Sequence, residues 1–130
     1  MTIASRADLL APSKRRFGEG ILPISGMAVR FRSLSEAEYS AFEMERMRQD
    51  DDGRMVTEAE PLRTTRARLA VLCLCDESGA PVLGSADVEG LAESIDLADS
   101  LFLFGRLQEH CGLLGNAQQL AAQLEAAKKN

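Results

Sequence analysis

A chain of 130 residues holds one domain with its own core and is too short for two comfortable ones. With 45% apolar residues, only 5% aromatics and no Trp, that core must be built from Leu, Ala, Val and Met, a composition that favours helices. The net charge of −5 argues against a sequence-independent grip on nucleic acid, which needs excess Lys and Arg to displace counterions.

Taken in order, residues 1–13 lack a clear period beyond an Ala7-Leu9-Leu10 patch ended by Pro12, and read as a flexible N-terminal arm. After Lys14-Arg15-Arg16 the period becomes two. Ile21, Leu22 and Ile24 predict one short strand, Ser25-Gly26 a turn, and Val29 and Phe31, alternating with Arg30 and Arg32, a second strand with its apolar side inward. Pro23 removes a ladder donor, so the first strand is expected to lie on an edge or to kink there. Ser35 then predicts a helix cap, with Glu36 and Glu38 in a first turn that favours negative charge. This helix is expected to run to about Gln49. Leu34, Ala37, Ala41 and Met44 make one stripe, and Tyr39, Phe42 and Met47 lie toward another side. Asp50-Asp51-Asp52-Gly53 resembles a fragment of a calcium loop, but Ala59 stands six residues after Gly53 where a closing Glu would be required. The segment 50–60 reads as a solvated loop between two helices.

The stretch Leu62 to Leu83 organises the rest. From Ala67 to Cys75 only Arg68 is polar, too apolar for a surface and too short for a membrane span. The expected element is a buried central helix beginning near Pro61 and ended by Asp76-Glu77-Ser78-Gly79. Period alone leaves a buried strand over Leu69 to Cys75 open. A short extended piece at 80–84 follows, then a short helix capped by Ser85. Asp96 predicts the cap of a longer helix whose stripe is Leu97, Leu101, Phe104, Leu107, Cys111 and Leu114, widened by Ala98 and Phe102. A last helix over 116–130, with Leu120 and Leu124 on a thin apolar stripe, either docks lightly or waits for a partner helix. The fold class expected is thus α+β, a small and mainly helical domain of four to five helices with an N-terminal β-hairpin or small antiparallel sheet. Residues 14–115 form the domain, between the arm and the C-terminal helix.

The residues supply little for chemistry. Three cysteines make no disulfide framework and fit a reducing cytoplasm. Cys73 and Cys75, with His110 and Cys111, are the one soft ligand set, and on a helix the first two diverge too far to share an ion. His110 is the sole histidine available as a base and stands near a helix end, where capping carbonyls is the expected role. Gly18-Glu19-Gly20 has no following helix or Lys to hold a phosphate. No catalytic constellation, metal site or cofactor is expected, and no stretch has the length of a signal peptide or membrane span.

Three pieces, GMAVRFRSLSEAEYSAFE, RLAVLCLCDESGAPVL and SADVEGLAESIDLADSLFLFGRLQEHCG, together resemble the tail assembly chaperones of tailed bacteriophages and prophages over about residues 14–115. Their order and spacing carry the resemblance. It implies a noncatalytic protein of the host bacterial cytoplasm, absent from the mature virion, that binds and solubilises the long helical tape measure protein and helps recruit tail tube subunits. Homo-oligomers are compatible with it; nucleic acid and membrane are not implied partners. Tyr39, Phe42, Met47, Leu120 and Leu124 are the expected partner-binding surface, read from the apolar faces and not from a family motif. Many relatives have a longer form made by programmed frameshifting, and Lys128-Lys129 permits a slippery codon run that the gene would reveal. The rival classes are a structural virion protein, such as a head-to-tail joining or minor tail protein, and a small regulatory adaptor.

Overall fold

The computed structural model describes residues 2–12, 14–45, 47–49, 51–57 and 64–113. The predicted last helix, with Leu120 and Leu124, and the predicted start at Pro61 lie outside these. The described elements are α1 (Arg6–Leu10), β1 (Phe17–Ile21), β2 (Ala28–Arg32), α2 (Glu36–Met44), β3 (Met47–Gln49), β4 (Met55–Thr57), α3 (Thr65–Cys73), β5 (Leu74–Cys75), a 3-10 turn (Ser85–Asp87), α4 (Val88–Ser94) and α5 (Leu97–His110). This is the expected α+β class: five helices with a small antiparallel sheet.

The sheet has the order β1-β2-β5, with Gly18 opposite Phe31, Glu19 opposite Arg30, and Phe31 and Arg30 opposite Leu74 and Cys75. Because side chains alternate, Phe31, Val29 and Leu74 face the helices while Phe17, Glu19, Ile21, Arg30 and Cys75 share the other face. Inward orientation of Phe31 matches the sequence reading, and its ring is 2% exposed. The first strand does not match. It occupies 17–21, ahead of the predicted piece, and Leu22 to Met27 make the turn, closed by Leu22 N–H to Met27 O at 2.9 Å and Gly26 N–H to Leu22 O at 2.9 Å. Pro23 therefore stands in a turn, where its fixed φ is useful and no ladder bond is lost. Gly18 explains why so plain a stretch can be a strand: a Cβ there would lie 2.5 Å from the Phe31 ring, so the glycine makes room for the aromatic core.

The predicted central helix is present and buried, but only to Cys73. Leu69 is 1% exposed and Cys73 0%. At Leu74 the backbone turns extended (ψ 130°) and the chain joins the edge of β2, so the helix and strand readings each hold for part of one run. The Asp76 carboxylate then accepts hydrogen bonds from Ser78 N–H (2.8 Å), Ser78 O–H (2.6 Å) and Ala80 N–H (3.0 Å), and Gly79 takes φ +87°. That turn returns the chain so that Pro81 bridges Cys75. One cluster joins α3 to Phe31, Phe42, Leu103 and Leu107, and a smaller one joins Ala67 and Val71 to Val88 of α4.

Two other expectations change. α2 is capped as predicted, Ser35 Oγ accepting Glu38 N–H while the Glu38 carboxylate accepts Ser35 N–H, but it ends at Met44. β3 (Met47–Gln49) pairs antiparallel with β4 (Met55–Thr57) as a second hairpin, where a helix end and a loop were expected; Gly53, between them, takes φ +82°. The faces of α2 are also exchanged. Phe42 is 3% exposed and Tyr39 half-buried, whereas Ala37, Ala41 and Met44 are exposed. An aromatic ring removes far more apolar area from water than two alanines, which decides which side faces the core. Ser85 lies inside the 3-10 turn, and the bond at its start is Gly84 N–H to the Asp87 carboxylate at 2.8 Å.

Candidate interaction surfaces

α5 carries most of what positions the remaining surface. Asp96 caps it, accepting Ala98 N–H at 2.8 Å, and Gly112 (φ +74°) ends it with Gly112 N–H to Glu109 O and Leu113 N–H to Gln108 O. Its inward residues are Asp99, Leu103 and Leu107, while Leu97 and Leu101, which the sequence stripe placed inside, are 62% and 52% exposed. Asp99 gives the reason. Its carboxyl group, 2% exposed, accepts Ile24 N–H at 2.7 Å and Ser25 N–H at 3.1 Å, binding the hairpin turn to the helix. Turning Asp99 inward turns Leu97 and Leu101 outward. Arg106 and His110 extend the same seam, donating to the carbonyls of Glu19 and Arg16 at 3.0 Å each, and the His110 ring meets Phe31 edge-on at 5.1 Å. His110 thus serves a carbonyl, as expected, though one on the segment entering β1 and not on its own helix.

A second seam ties the basic N-terminal segment to α2. Arg15 grips Glu38 with two nitrogens at 2.8 Å each and donates to Ser33 O at 2.8 Å, while Arg32 donates to Leu72 O at 3.1 Å. The Arg15 hydrogen bond, followed by the Ser35 bonds and the Arg15 charge, holds the Glu38 carboxyl well below the carboxylate range, at about 2, against the smaller opposing effect of burial. The Lys14-Arg15-Arg16 triplet therefore has a structural use for its middle residue.

The thiols gather without forming a ligand set. Cys73 Sγ lies 4.0 Å from Cys111 Sγ, and Cys75 is buried on the opposite face of the sheet. Cys111, half-buried, has its thiol lowered by the hydrogen bond with Cys73, and further by the Leu34 N–H and the nearby Arg16 charge, against the opposing effect of burial. The same hydrogen bond and burial raise Cys73. Among the described residues no three His, Cys, Asp or Glu side chains cluster as a metal site, and no described helix is long and apolar enough to cross a membrane.

Two of the concave surfaces among the described residues have the most apolar linings. On the face of the sheet opposite Phe31 lies a hollow of about 700 Å³ bordered by Glu19, Ile21, Ala28, Arg30, Cys75 and Glu77; Arg30 stacks 4.4 Å over the Phe17 ring, and its Nε is buried without an acceptor among the described residues. Between the hairpin turn and the α4–α5 joint lies an apolar groove of about 320 Å³ whose walls include Leu22, Met27, Leu74, Leu91, Ile95 and Leu103. Ile24 and Met27 stand 63% and 59% exposed along it.

The residues expected to bind a partner are not brought together here. Phe42 belongs to the core and Tyr39 packs on it, ring centroids 5.7 Å apart. Phe42 is thereby removed from the candidate surface. Met47 is 36% exposed, and Leu120 and Leu124 lie outside the described residues. The groove was missed because its walls come from three separated segments. One signal was present: from Leu69 to Gly105 the chain has seven acidic residues (Asp76, Glu77, Asp87, Glu89, Glu93, Asp96, Asp99) and neither Lys nor Arg.

No family model matches the sequence, and no curated protein matches it. Among solved structures the chain is similar to the bacteriophage HK97 tail assembly chaperone, with a TM-score of 0.50 and 20% identity over 72% of this chain and 84% of that one. The small sheet covered on one face by helices is therefore a fold similar to that of a phage tail assembly chaperone.

Proposed function

We propose that this chain is a noncatalytic tail assembly chaperone of a tailed bacteriophage or prophage. It binds the tape measure protein, keeps that long helical polypeptide soluble in the host cytoplasm, helps recruit tail tube subunits, and is left out of the finished particle. The observation that carries the reading is the likeness to the HK97 chaperone over 84% of that chain. The surface supports it: Ile24 and Met27 are large apolar side chains left exposed beside an apolar groove, and Leu97 and Leu101 are exposed elsewhere on α5, which suits holding a client that would otherwise aggregate. Met47, Leu120 and Leu124 extend the surface offered to partners in this proposal.

The test is coexpression of the full chain with the tape measure protein of the same genome, measuring the client's soluble fraction and its copurification at low and moderate salt. Solubilisation with copurification is the expected result. A client that stays insoluble and unbound at both salt concentrations refutes the proposal, and recovery of this chain in purified virions by mass spectrometry transfers it to the class of structural tail proteins.

A further inference from the structure

We propose that the apolar groove between the Leu22–Met27 turn and the α4–α5 joint receives one amphipathic helix of a partner, entered by aliphatic side chains on one face and flanked by Lys or Arg. For the identity of the client this rests on the chaperone reading; for the chemistry of the site it does not.

The groove is built before any ligand arrives. Its floor is Leu22, Leu74 and Leu103, at 3%, 7% and 2% exposure, and these belong to the main core. One wall, the turn, is pinned by the two N–H bonds to Asp99. The other is formed by Leu91 and Ile95, half-buried at the end of α4. A pinned wall costs little ordering when a ligand binds, so the burial of incoming apolar surface is retained as affinity. About 320 Å³ admits a few aliphatic side chains, the number that one face of a helix presents at i, i+3 or i+4, and i+7. The residues left protruding, Ile24 and Met27, lie where they would cover the flanks of such a helix.

Charge selects among apolar helices. Asp96 and Asp99 line the groove with neither Lys nor Arg among its lining residues, and no Lys or Arg stands between Arg68 and Arg106 in the sequence. Of the described basic residues, Lys14, Arg15, Arg16, Arg30 and Arg32 lie in the N-terminal part and Arg66 and Arg68 on α3, while Arg106, on α5 itself, is held at the Glu19 carbonyl. A helix with basic flanks is attracted to this rim and an acidic one repelled, a discrimination exerted on encounter as well as on the bound state. The exposed edge of β1 is a poorer docking place, because Glu19 stands at its centre and Arg106 already occupies the Glu19 carbonyl.

The experiment uses the full chain and two labelled helical peptides with the same Leu positions, one flanked by Lys and one by Glu, titrated by fluorescence anisotropy. The Lys-flanked peptide is expected to bind, and the Glu-flanked one to bind roughly tenfold or more weakly. Ile24→Glu and Met27→Glu, both at exposed positions and checked for fold by circular dichroism, are each expected to weaken the Lys-flanked peptide by roughly tenfold. A photoreactive group at the central Leu of that peptide should crosslink the unsubstituted chain within 22–27 or 91–103, which gives a readout independent of any variant. Equal affinity for the two peptides, no saturable binding of the Lys-flanked one, unchanged binding by both variants, or crosslinks confined to other segments would each overturn the proposal. Failure here is separable from failure of the chaperone reading. If Ile24→Glu copurifies the tape measure protein undiminished, the groove is wrong and the chaperone stands; if the unsubstituted chain never holds that protein, the chaperone reading falls while the peptide titration still decides the groove.

Discussion

Replacing Asp99 tests the joint on which the groove depends. Its carboxyl group is 2% exposed and accepts two backbone N–H groups, Ile24 at 2.7 Å and Ser25 at 3.1 Å, from a turn 74 and 75 positions earlier in the chain. Bonds from backbone amides to an acid side chain contribute about 1.5–3 kcal/mol each when fully buried. Here both donor residues are largely exposed, so water reaches the freed N–H groups and the lower end applies. Asp99→Ala is then expected to cost about 2–3 kcal/mol, a large share of a domain's usual 5–15 kcal/mol and roughly 10 °C in melting temperature for a chain of this size. Asp99→Asn should cost about half as much, because the amide oxygen keeps one bond while the NH2 opposes the second donor. Urea unfolding measures both, and amide exchange at Ile24 and Ser25 reports the joint directly, with faster exchange there than elsewhere in the hairpin. A loss below about 0.5 kcal/mol for Asp99→Ala, or unchanged exchange at those two amides, would refute the reasoning.

Glu38→Gln carries a definite pH signature. The folded carboxyl sits at about 2 against 4.5 for the free group, so its contribution is complete above pH 4.5 and fades as pH falls toward 2. The full shift would correspond to about 3 kcal/mol, but Arg15 is 36% and Glu38 26% exposed, and solvent screening reduces the expected loss at pH 7 to about 1 kcal/mol. Urea midpoints of both proteins should converge between pH 4.5 and 2; a constant gap across that range would contradict the assignment. Phe42→Ala should cost about 3–5 kcal/mol by thermal or urea unfolding, while Leu97→Ala and Leu101→Ala stay within about 0.5 kcal/mol, the reverse of what the sequence stripes imply. Cys111, half-exposed and with its thiol lowered, should react first with a maleimide near neutral pH, and the buried Cys73 and Cys75 only on unfolding; mass spectrometry of the labelled peptides decides the order.

What could be read from the sequence follows a physical line. Local signals worked where a few neighbouring atoms settle the structure: the Ser35 cap, the Asp96 cap, the Gly79 turn, and the inward Phe31. Facing was harder, because α2 and α5 have apolar residues on more than one side. Counting positions in a stripe favoured Ala37, Ala41 and Met44, whereas area favoured Phe42, and burial follows area. Asp99 lay beyond reach for a different reason: a single acid on an apolar helix points inward only if donors wait there, and the donors belong to a turn at the other end of the domain. The run from Leu69 to Cys75 fits a helix and a strand equally by period, and the free edge of β2 decides where one gives way to the other. Asp52-Gly53 is a local hairpin signal, with Gly53 at φ +82° and β3 paired to β4 across it, but the apolar stripe that continues to Met47 reads as helix and hides it.

Under the proposed function, the size of the groove sets how tightly a client would be held. A groove that admits only a few side chains buries little surface, and a partner bound there alone pays the full loss of translational freedom, so a single contact is weak and exchanges quickly. An assembly factor that must leave before the particle is complete needs that weakness. A long helical client repeats its apolar turns many times, and several copies lying along it hold it by number and not by strength. In the proposed function release would require no chemistry: as tube subunits covered the client one turn after another, each copy would lose a site it held only briefly. On this argument an affinity matured at the groove, for instance by extending the apolar wall at Ser94, should improve solubilisation of the client in coexpression and slow tail completion in the same cells. Faster completion by the tighter variant would show that release does not limit assembly.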